Sequence, residues 1–476
     1  MPKVRMQVGY PPLGLLSLAA WLRRHKHSAT VLDMRLERNG DGSLSREVTG
    51  IRPDIVGLSL FTLEAPSLDR LCRLIRSSHP ETTIVVGGPH AAANPCAVAR
   101  HPEVDYVVVG EGERPLLEIV RAIGGGRPAR HPRIVAGMPR GGGVRPRSPS
   151  GFGQDLLAAR EIPWPDYNGV KLESYFGKPV FHGFFPEHDA YTPIIGSRGC
   201  PYACTYCHHS QGQKLRSFSP QLLARGMAAL QERGIREFHF WDDIFNCRAS
   251  WMLEVLREIG RTCGPVAMAF PNGLRGDRLD DELLRKMAKS GVYFSAIALE
   301  SGSARIQNLI RKRLDLRKVL GSIRAARRQR IVMQGYFMLG FPGETEDEAR
   351  QTIRVACESD LPLARFFFVT PFPGTEIHRA FVGPAKQHPL FDYSVPFPDL
   401  AAISVERLMQ LRDEAMQEFY GNPKRLEILA EARPAFLERN RKVLSDYAES
   451  RLLCRPPSQT KPSAILGQAE RPEGLR

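Results

Sequence analysis

Hydrophobic positions over the first 125 residues switch between two periods. Leu15, Leu18, Ala19 and Leu22 recur at helical spacing, and Ala29 to Leu32 reads as a short strand ending at Asp33. The run Ile55-Val56-Gly57-Leu58-Ser59-Leu60 predicts a buried strand, and a helical pattern follows through Leu68, Leu71, Cys72 and Ile75. Thr82 to Val86 predicts another strand, stopped by Gly87-Gly88-Pro89. Val104 to Val109 predicts one more, closed by Gly110-Glu111-Gly112-Glu113 and a helix through Ile123. Strand and helix alternating over short links is the pattern of an α/β fold, here an open doubly wound (Rossmann-like) parallel sheet over residues 1–125.

From Gly124 to about Pro149 the chain turns rich in Gly, Pro and Arg, so residues 126–190 are expected to be a linker and an irregular lead-in. A second βα series begins near Tyr191. Its strand candidates are Thr192 to Ser197, Glu237 to Trp241, Val266 to Phe270, Phe294 to Leu299, Val332 to Leu339 and Arg365 to Val369. Six strands separated by helical periodicity predict a partial (β/α)6 TIM-like barrel over 191–400, whose reacting groups gather at the C-terminal strand ends. Cys200, Asp242, Asn272, Glu300, Gly340 and Pro371 all follow strand candidates. Phe366-Phe367-Phe368 reads as buried barrel strand. Residues 401–455 read as a helical segment, and 456–476 as a disordered tail.

Composition adds boundaries. The chain has 476 residues, 42% hydrophobic and 25% charged, with no run near the roughly 18 apolar residues of a membrane span. Met1-Pro2-Lys3-Val4-Arg5 lacks the apolar core of a signal peptide, so a cytoplasmic protein with no membrane partner is expected. A net charge of +15 points to an acidic partner: a nucleic acid, a phosphorylated metabolite or a carrier protein. The densest basic stretch, Arg311 to Arg330, carries Leu316, Val319, Leu320 and Ile323 at helical spacing, which predicts an amphipathic helix with a solvated outer face.

Nine cysteines include one tight group, Cys200-Pro-Tyr-Ala-Cys204-Thr-Tyr-Cys207. Three thiols in one loop after a strand suit an iron-sulfur cubane and leave its fourth iron open, a site that the amino and carboxylate groups of S-adenosylmethionine (SAM) would fit. A zinc site completed by His208 or His209 is an alternative, though structural zinc prefers four closed ligands. Cys204-Thr-Tyr-Cys207-His208 also matches a c-type haem attachment, which normally requires export.

The loop resembles that of the radical SAM superfamily, and later segments resemble its other motifs. Tyr206 matches an aromatic position near the adenine, and Trp241-Asp242-Asp243 matches a strand end near the SAM amino group. Glu300-Ser301-Gly302 is similar to an element near the ribose. Gly340-Phe341-Pro342-Gly343-Glu344 and Pro371-Phe372-Pro373-Gly374-Thr375 resemble turns of the last strands. The resemblance implies a [4Fe-4S] cluster on Cys200, Cys204 and Cys207, with SAM near Tyr206, Asp242, Glu300, Ser301, Gly302, Gly340, Pro342 and Gly343.

The first domain resembles the cobalamin-binding domain of one large radical SAM subfamily, through Pro11-Pro12-Leu13-Gly14-Leu15, Gly87-Gly88-Pro89-His90 and Gly110-Glu111-Gly112-Glu113. It implies a corrin near Leu60, Phe61, Thr62, Gly87, Gly88, Pro89, His90, Gly110, Glu111 and Gly112. The DxHxxG motif that supplies a cobalt-ligating histidine elsewhere is absent, which implies base-off cobalamin; His90 is a substitute ligand or a surface or hydrogen-bonding histidine. Only ten residues precede Pro11, fewer than the resemblance implies; either the first strand is shortened to Lys3 to Val8 or the chain starts late.

The implied activity is reductive cleavage of SAM to a 5′-deoxyadenosyl radical, followed by methylation of a carbon of a small-molecule substrate, with electrons from a flavodoxin or ferredoxin. No catalytic side chain beyond the cluster ligands is assigned. An oxidative cyclase or ring-rearranging enzyme with the same cofactors is an alternative. An RNA methylthiotransferase is disfavoured by the lack of a second cysteine triplet and of an RNA-binding barrel. A non-catalytic cobalamin-binding module is disfavoured by the intact motifs.

Overall fold

The alternating runs of the N-terminal region pair side by side. In this computed structural model, which describes residues 9–37, 40–137, 155–178, 180, 184–208, 211–382 and 393–448, β1 (Ile55–Ser59), β2 (Thr83–Gly87) and β3 (Tyr106–Val108) are parallel. A fourth strand, β4 (Ile134–Ala136), pairs antiparallel with β3, so the sheet is mixed, in the order β1-β2-β3-β4. β4 lies where a linker was expected; three residues are too few to show a period. Ala29 to Leu32 forms no strand. The expected strand at Lys3 to Val8, His209 and the 456–476 tail lie outside the described residues.

Helices cover both faces of this sheet. Ile84 and Val86 pack with Val48 of helix Gly40–Ile51 and with Cys72 and Ile75 of helix Leu68–Ser78, while Val85 and Val108 meet Ile119 of helix Glu113–Gly124. Burial on both faces is why these strands read as continuous apolar runs.

The second series forms a six-stranded parallel sheet. Its strands are β5 (Tyr191–Ile194), β8 (Glu237–Phe240), β9 (Ala267–Leu274), β10 (Val292–Glu300), β11 (Val332–Leu339) and β12 (Leu363–Phe368), adjacent in that order. Sequence neighbours are spatial neighbours because a helix returns the chain after each strand. β6 (Ser197–Arg198) and β7 (Arg216–Ser217) form a separate antiparallel ribbon at the end of β5. In the basic stretch, helix Leu316–Arg328 buries Val319 and Ile323 and exposes Arg317, Lys318 and Arg324, as its periodicity predicts.

The C-terminal helices Val405–Tyr420, Lys424–Ala432 and Pro434–Ala448 close the β12 side. The Tyr420 hydroxyl donates to the Ala364 carbonyl at 2.8 Å, and the buried Arg425 donates to the carbonyls of Ser359 (2.6 Å) and Leu361 (3.0 Å). Among the described residues no helix is long and apolar enough to cross a membrane.

Candidate functional site

The cysteine loop is defined by its base. Because β6 and β7 pair, the chain leaves and returns to the barrel at one place. Gly199 has φ +85°, and a Cβ there would stand 2.5 Å from the Lys214 carbonyl oxygen, so only glycine fits the turn into Cys200. Cys200 N donates to Gly212 O (3.2 Å) and Cys207 N to Cys204 O (3.2 Å). Thr205 ties the loop to the barrel on two sides, donating from N to Ile310 O (3.1 Å) and accepting at O from Ile377 N (3.0 Å).

All three thiols are free. Burial pushes Cys200 up to about 11, with Asp243 and Cys204 adding to it. Cys207 reaches the surface as a residue, yet its thiol is enclosed and pushed up to about 12 by burial and then by Cys204, Asp243 and Cys200. Burial also raises Cys204, against a lowering contribution from Lys312. Thiols that raise one another's pKa are near neighbours, and a positively charged metal group bound among them would favour their thiolate forms. Among the described residues no three Cys, His, Asp or Glu side chains converge tightly enough for one metal ion. In a cubane each thiolate takes a different iron, so the three need not converge on one ion. His208 instead sets its ring against Phe372, centroids 5.3 Å apart.

Beside the loop stands a polar trio. Glu300 ends β10 with φ +65°, uncommon for a residue with a side chain, where the register with β11 slips. Its Oε1 accepts from the Tyr206 hydroxyl (2.8 Å) and from Lys312 Nζ (2.6 Å), which also reaches the Tyr206 hydroxyl at 3.2 Å. Burial, then Glu300, holds the Tyr206 hydroxyl well above its usual range, so it stays a donor. Lys312 was hidden in the sequence by the basic stretch around it.

Other motif residues sit in the framework. Asp242 is buried and accepts from Gly196 N (3.0 Å) and Ser197 Oγ (2.5 Å), so it braces the approach to the cysteine loop. The carboxylate within electrostatic reach of Cys200 and Cys207 belongs to its exposed neighbour Asp243. Ser301 and Gly302 dock on helix Glu346–Glu358: both Ser301 Oγ and Gly302 N contact Thr352 Oγ1, at 3.1 and 2.9 Å. A Cβ on Gly302 would meet Gln351 O at 2.8 Å. Gly340 (φ +93°) and Phe341 donate their N–H groups to Glu344 Oε2 at 2.5 and 3.1 Å; Pro342 is buried, and exposed Gly343 turns with φ +61°.

The concave face carries aromatic rings. Phe366 and Phe368 are buried as expected, but Phe367 is half-buried, 5.8 Å from Tyr336 and 5.9 Å from Tyr393. Tyr336 spans over to the Pro271 carbonyl (2.7 Å), and Tyr393 lies within electrostatic reach of Cys207 and Glu300. Sequence periodicity groups Phe367 with its neighbours because an open barrel interior and a filled core demand the same residue type.

In the N-terminal domain, Leu60, Gly87, Gly88, Pro89 and His90 meet where β1 and β2 end. Leu60 N donates to Gly87 O (2.9 Å), His90 N donates to Leu60 O (3.0 Å), and Gly88 (φ +93°) leaves room for Leu60 N, 2.7 Å from where a Cβ would stand. Thr62 is half-buried, and Phe61 and Leu63 are 48% and 52% exposed, large apolar groups facing solvent. His90 Nδ1 is buried with no hydrogen-bond partner among the described residues, and burial lowers the pKa of its ring. Gly110 (φ +76°) ends the β3 edge and Gly112 packs on Leu18. Glu111 turns inward to Arg198 and Arg216.

A mixed-sheet α/β domain ahead of a six-stranded partial barrel, with a cysteine loop at the barrel's strand ends, defines a class of two-domain enzyme. Family models agree: the B12 binding domain matches residues 5–120 and the Radical SAM superfamily matches 194–356. The chain is 30% identical over 416 residues to the cytidylyl-2-hydroxyethylphosphonate methyltransferase of Streptomyces wedmorensis, covering 77% of each chain. It is 26% identical to the uncharacterized methyltransferase PH0819 of Pyrococcus horikoshii, over 87% of this chain and 88% of the other. Its fold matches the radical SAM methyltransferase TsrM from Kitasatospora setae with TM-score 0.65, at 19% identity over 85% of this chain and 81% of that one. It matches the cobalamin-dependent radical SAM enzyme OxsB with TM-score 0.62 at 16% identity, over 76% of this chain, and spans about half (51%) of that longer one. The chain belongs to the cobalamin-dependent radical SAM enzymes, in which a B12-binding domain precedes a radical SAM domain. Binding of SAM and cobalamin is the property of that family.

Proposed function

We propose that this protein is a cobalamin-dependent radical SAM methyltransferase that methylates a carbon of a small-molecule substrate. The observation that carries the reading is the cysteine loop: three free, mutually interacting thiols pinned beside Glu300, Tyr206 and Lys312. In this reading Cys200, Cys204 and Cys207 hold a [4Fe-4S] cluster, residues 1–125 hold cobalamin, residues 191–400 hold SAM and substrate, and 126–190 and 401–455 connect and close them. Bound there, the cluster with SAM supplies a carbon-centred radical and the corrin supplies a methyl group.

The chain's own part is placement and exclusion of water. Tyr206, Glu300 and Lys312 present a hydroxyl, a carboxylate and an ammonium on the loop's flank to orient SAM. The Gly340-Phe341-Pro342-Gly343 turn, braced by Glu344, forms the neighbouring wall. Asp242, Ser301 and Gly302 support that first layer from behind. Phe367, Tyr336 and Tyr393 line the space for substrate, and an apolar wall limits water around a radical. Phe61 and Leu63 offer the corrin an apolar bed, with His90 as a neutral neighbour. An electron donor of flavodoxin or ferredoxin type is required. The free thiols suit the reducing cytoplasm.

The test is anaerobic reconstitution with iron, sulfide and hydroxocobalamin, followed by EPR and product analysis of the wild type and Cys204→Ala. A reduced [4Fe-4S] signal, retained base-off cobalamin and conversion of SAM to 5′-deoxyadenosine, with signal and conversion lost in the variant, are expected. A cluster without corrin would overturn methyl transfer, and absence of SAM cleavage in the wild type would overturn the enzyme reading. The anaerobic magnesium-protoporphyrin cyclase of Rubrivivax gelatinosus, 21% identical over 86% of this chain, makes ring closure the other outcome to look for in the products.

A further inference from the structure

The turn Gly110-Glu111-Gly112-Glu113 closes β3, and resemblance to cobalamin-binding domains aims Glu111 at a corrin. Its carboxylate is held elsewhere. Arg216 Nη1 lies 2.7 Å from Glu111 Oε1 and 2.9 Å from Oε2, and Arg198 Nη1 lies 3.3 Å from Oε1. Glu113 takes the other end of Arg198, with Nη2 2.7 Å from its Oε1. Each of these four side chains is 10% exposed or less. Leu157 N adds a bond to Glu111 Oε2 at 3.2 Å, and Arg216 continues to Leu157 O (3.0 Å) and Gln211 O (2.7 Å).

The two arginines are register partners in the β6–β7 ribbon, and Arg198 stands two residues before Cys200. One carboxylate of the N-terminal domain therefore grips both strands at the root of the cysteine loop. A buried ion pair adds little net stability over an apolar contact, but loss of one partner strands a buried charge, and the planar guanidinium fork accepts only a narrow geometry. Such a contact supplies position more than strength.

We infer that Glu111 is a positioning residue that seats the cysteine loop on the N-terminal domain and so fixes how the two cofactor-bearing ends face each other. The inference rests on the proposed function for what the loop carries, and on the contacts alone for what holds it. An electrostatic signature follows. Glu111 and Glu113 face Arg198 and Arg216 directly behind the loop, with the buried Arg133 guanidinium also within electrostatic reach of Glu111 and Arg216; Glu111→Gln removes a negative charge there, and Arg216→Gln a positive one. Positive charge favours the reduced, more negative form of a cluster, so the two variants shift its midpoint potential in opposite directions.

The experiment uses the full chain in two states. In the iron-free protein, hydrogen exchange of residues 199–208 is expected to quicken about tenfold or more in Glu111→Gln, with residues 292–300 and 332–339 unchanged. In reconstituted protein the potential is expected to rise in Glu111→Gln and fall in Arg216→Gln. Unchanged exchange in folded Glu111→Gln, or potentials that move in the same direction, would overturn the inference. If Glu111→Gln does not accumulate, Glu113→Gln, which keeps the Arg216 contact, carries the same exchange test with a smaller rise expected and the same overturning result. Failure of the wild type to assemble a cluster would count against the proposed function, while the iron-free exchange still decides this inference.

Discussion

Asp242 and Glu344 each follow a barrel strand, and burial pushes each carboxyl up to about 7. In the unfolded chain such groups titrate near pH 4. The folded protein therefore binds these protons more tightly than the unfolded one, and the contribution of these two groups to stability is lost as pH rises from about 4 to about 7. For Glu344, whose Oε1 is buried without a partner among the described residues, the variant Glu344→Gln keeps an acceptor for Gly340 and Phe341 and removes the ionisation. Its melting temperature is expected to drop less than the wild type's between pH 5 and pH 8. Equal drops in the two proteins would mean that Glu344 carries its charge in the folded state without cost. Residues of this kind mark the limit of sequence reading. Asp242 and Asp243 are indistinguishable as letters, yet one is buried against Gly196 and Ser197 while the other is exposed toward the thiols. Glu111 stands in a recognisable turn, but its partners are 87 and 105 residues away, and no local pattern reports them.

Elements were far more legible than side-chain directions. Six barrel strands were readable because each is buried over four or more residues, and the helices between them because they are amphipathic. β4 was not, since its three residues draw their strand character from pairing with β3. At this scale the β6–β7 ribbon depends on glycine. Gly199→Ala brings both a left-handed backbone and a Cβ 2.5 Å from a main-chain oxygen that cannot move without opening the ribbon. Gly234→Ala is the control, with φ +88° and nothing within 4 Å of its Cβ. The control is expected to lose about 1–2 kcal/mol of stability in denaturant titration, the cost of the backbone conformation alone. Gly199→Ala is expected to lose more and to bind less iron after reconstitution. Equal stability losses and equal iron content would show that the ribbon yields to the added methyl group.

At the scale of the molecule, the two domains share apolar contacts as well as charges. Helix Leu13–Arg24 belongs in sequence to the N-terminal domain, yet its Leu16 lies in the barrel core, and its Trp21 packs with Leu117 on one side and Leu157, Ile162 and Phe218 on the other. The Tyr10 hydroxyl meets His239 Nδ1 at 3.0 Å, and Tyr175 donates to Asp33 at 2.8 Å. A seam made of core contacts couples the unfolding of the parts it joins, so this chain is expected to unfold as one unit where an unsealed two-domain chain would not. Trp21 is 6% exposed and packs among side chains of both domains, so Trp21→Ala opens a cavity in the seam itself, at a cost of about 3–5 kcal/mol. Most of that cost falls on the coupling, because the sheet contacts of Ile84, Val86 and Ile119 and the barrel contacts of Phe238 and Phe294 are untouched. Calorimetry is expected to show one endotherm for the wild type and two for Trp21→Ala. A single endotherm that merely shifts to lower temperature would place the coupling in the remaining contacts, the Glu111 grip on Arg198 and Arg216 first among them, and Trp21→Ala combined with Glu111→Gln would then be the variant that separates the domains.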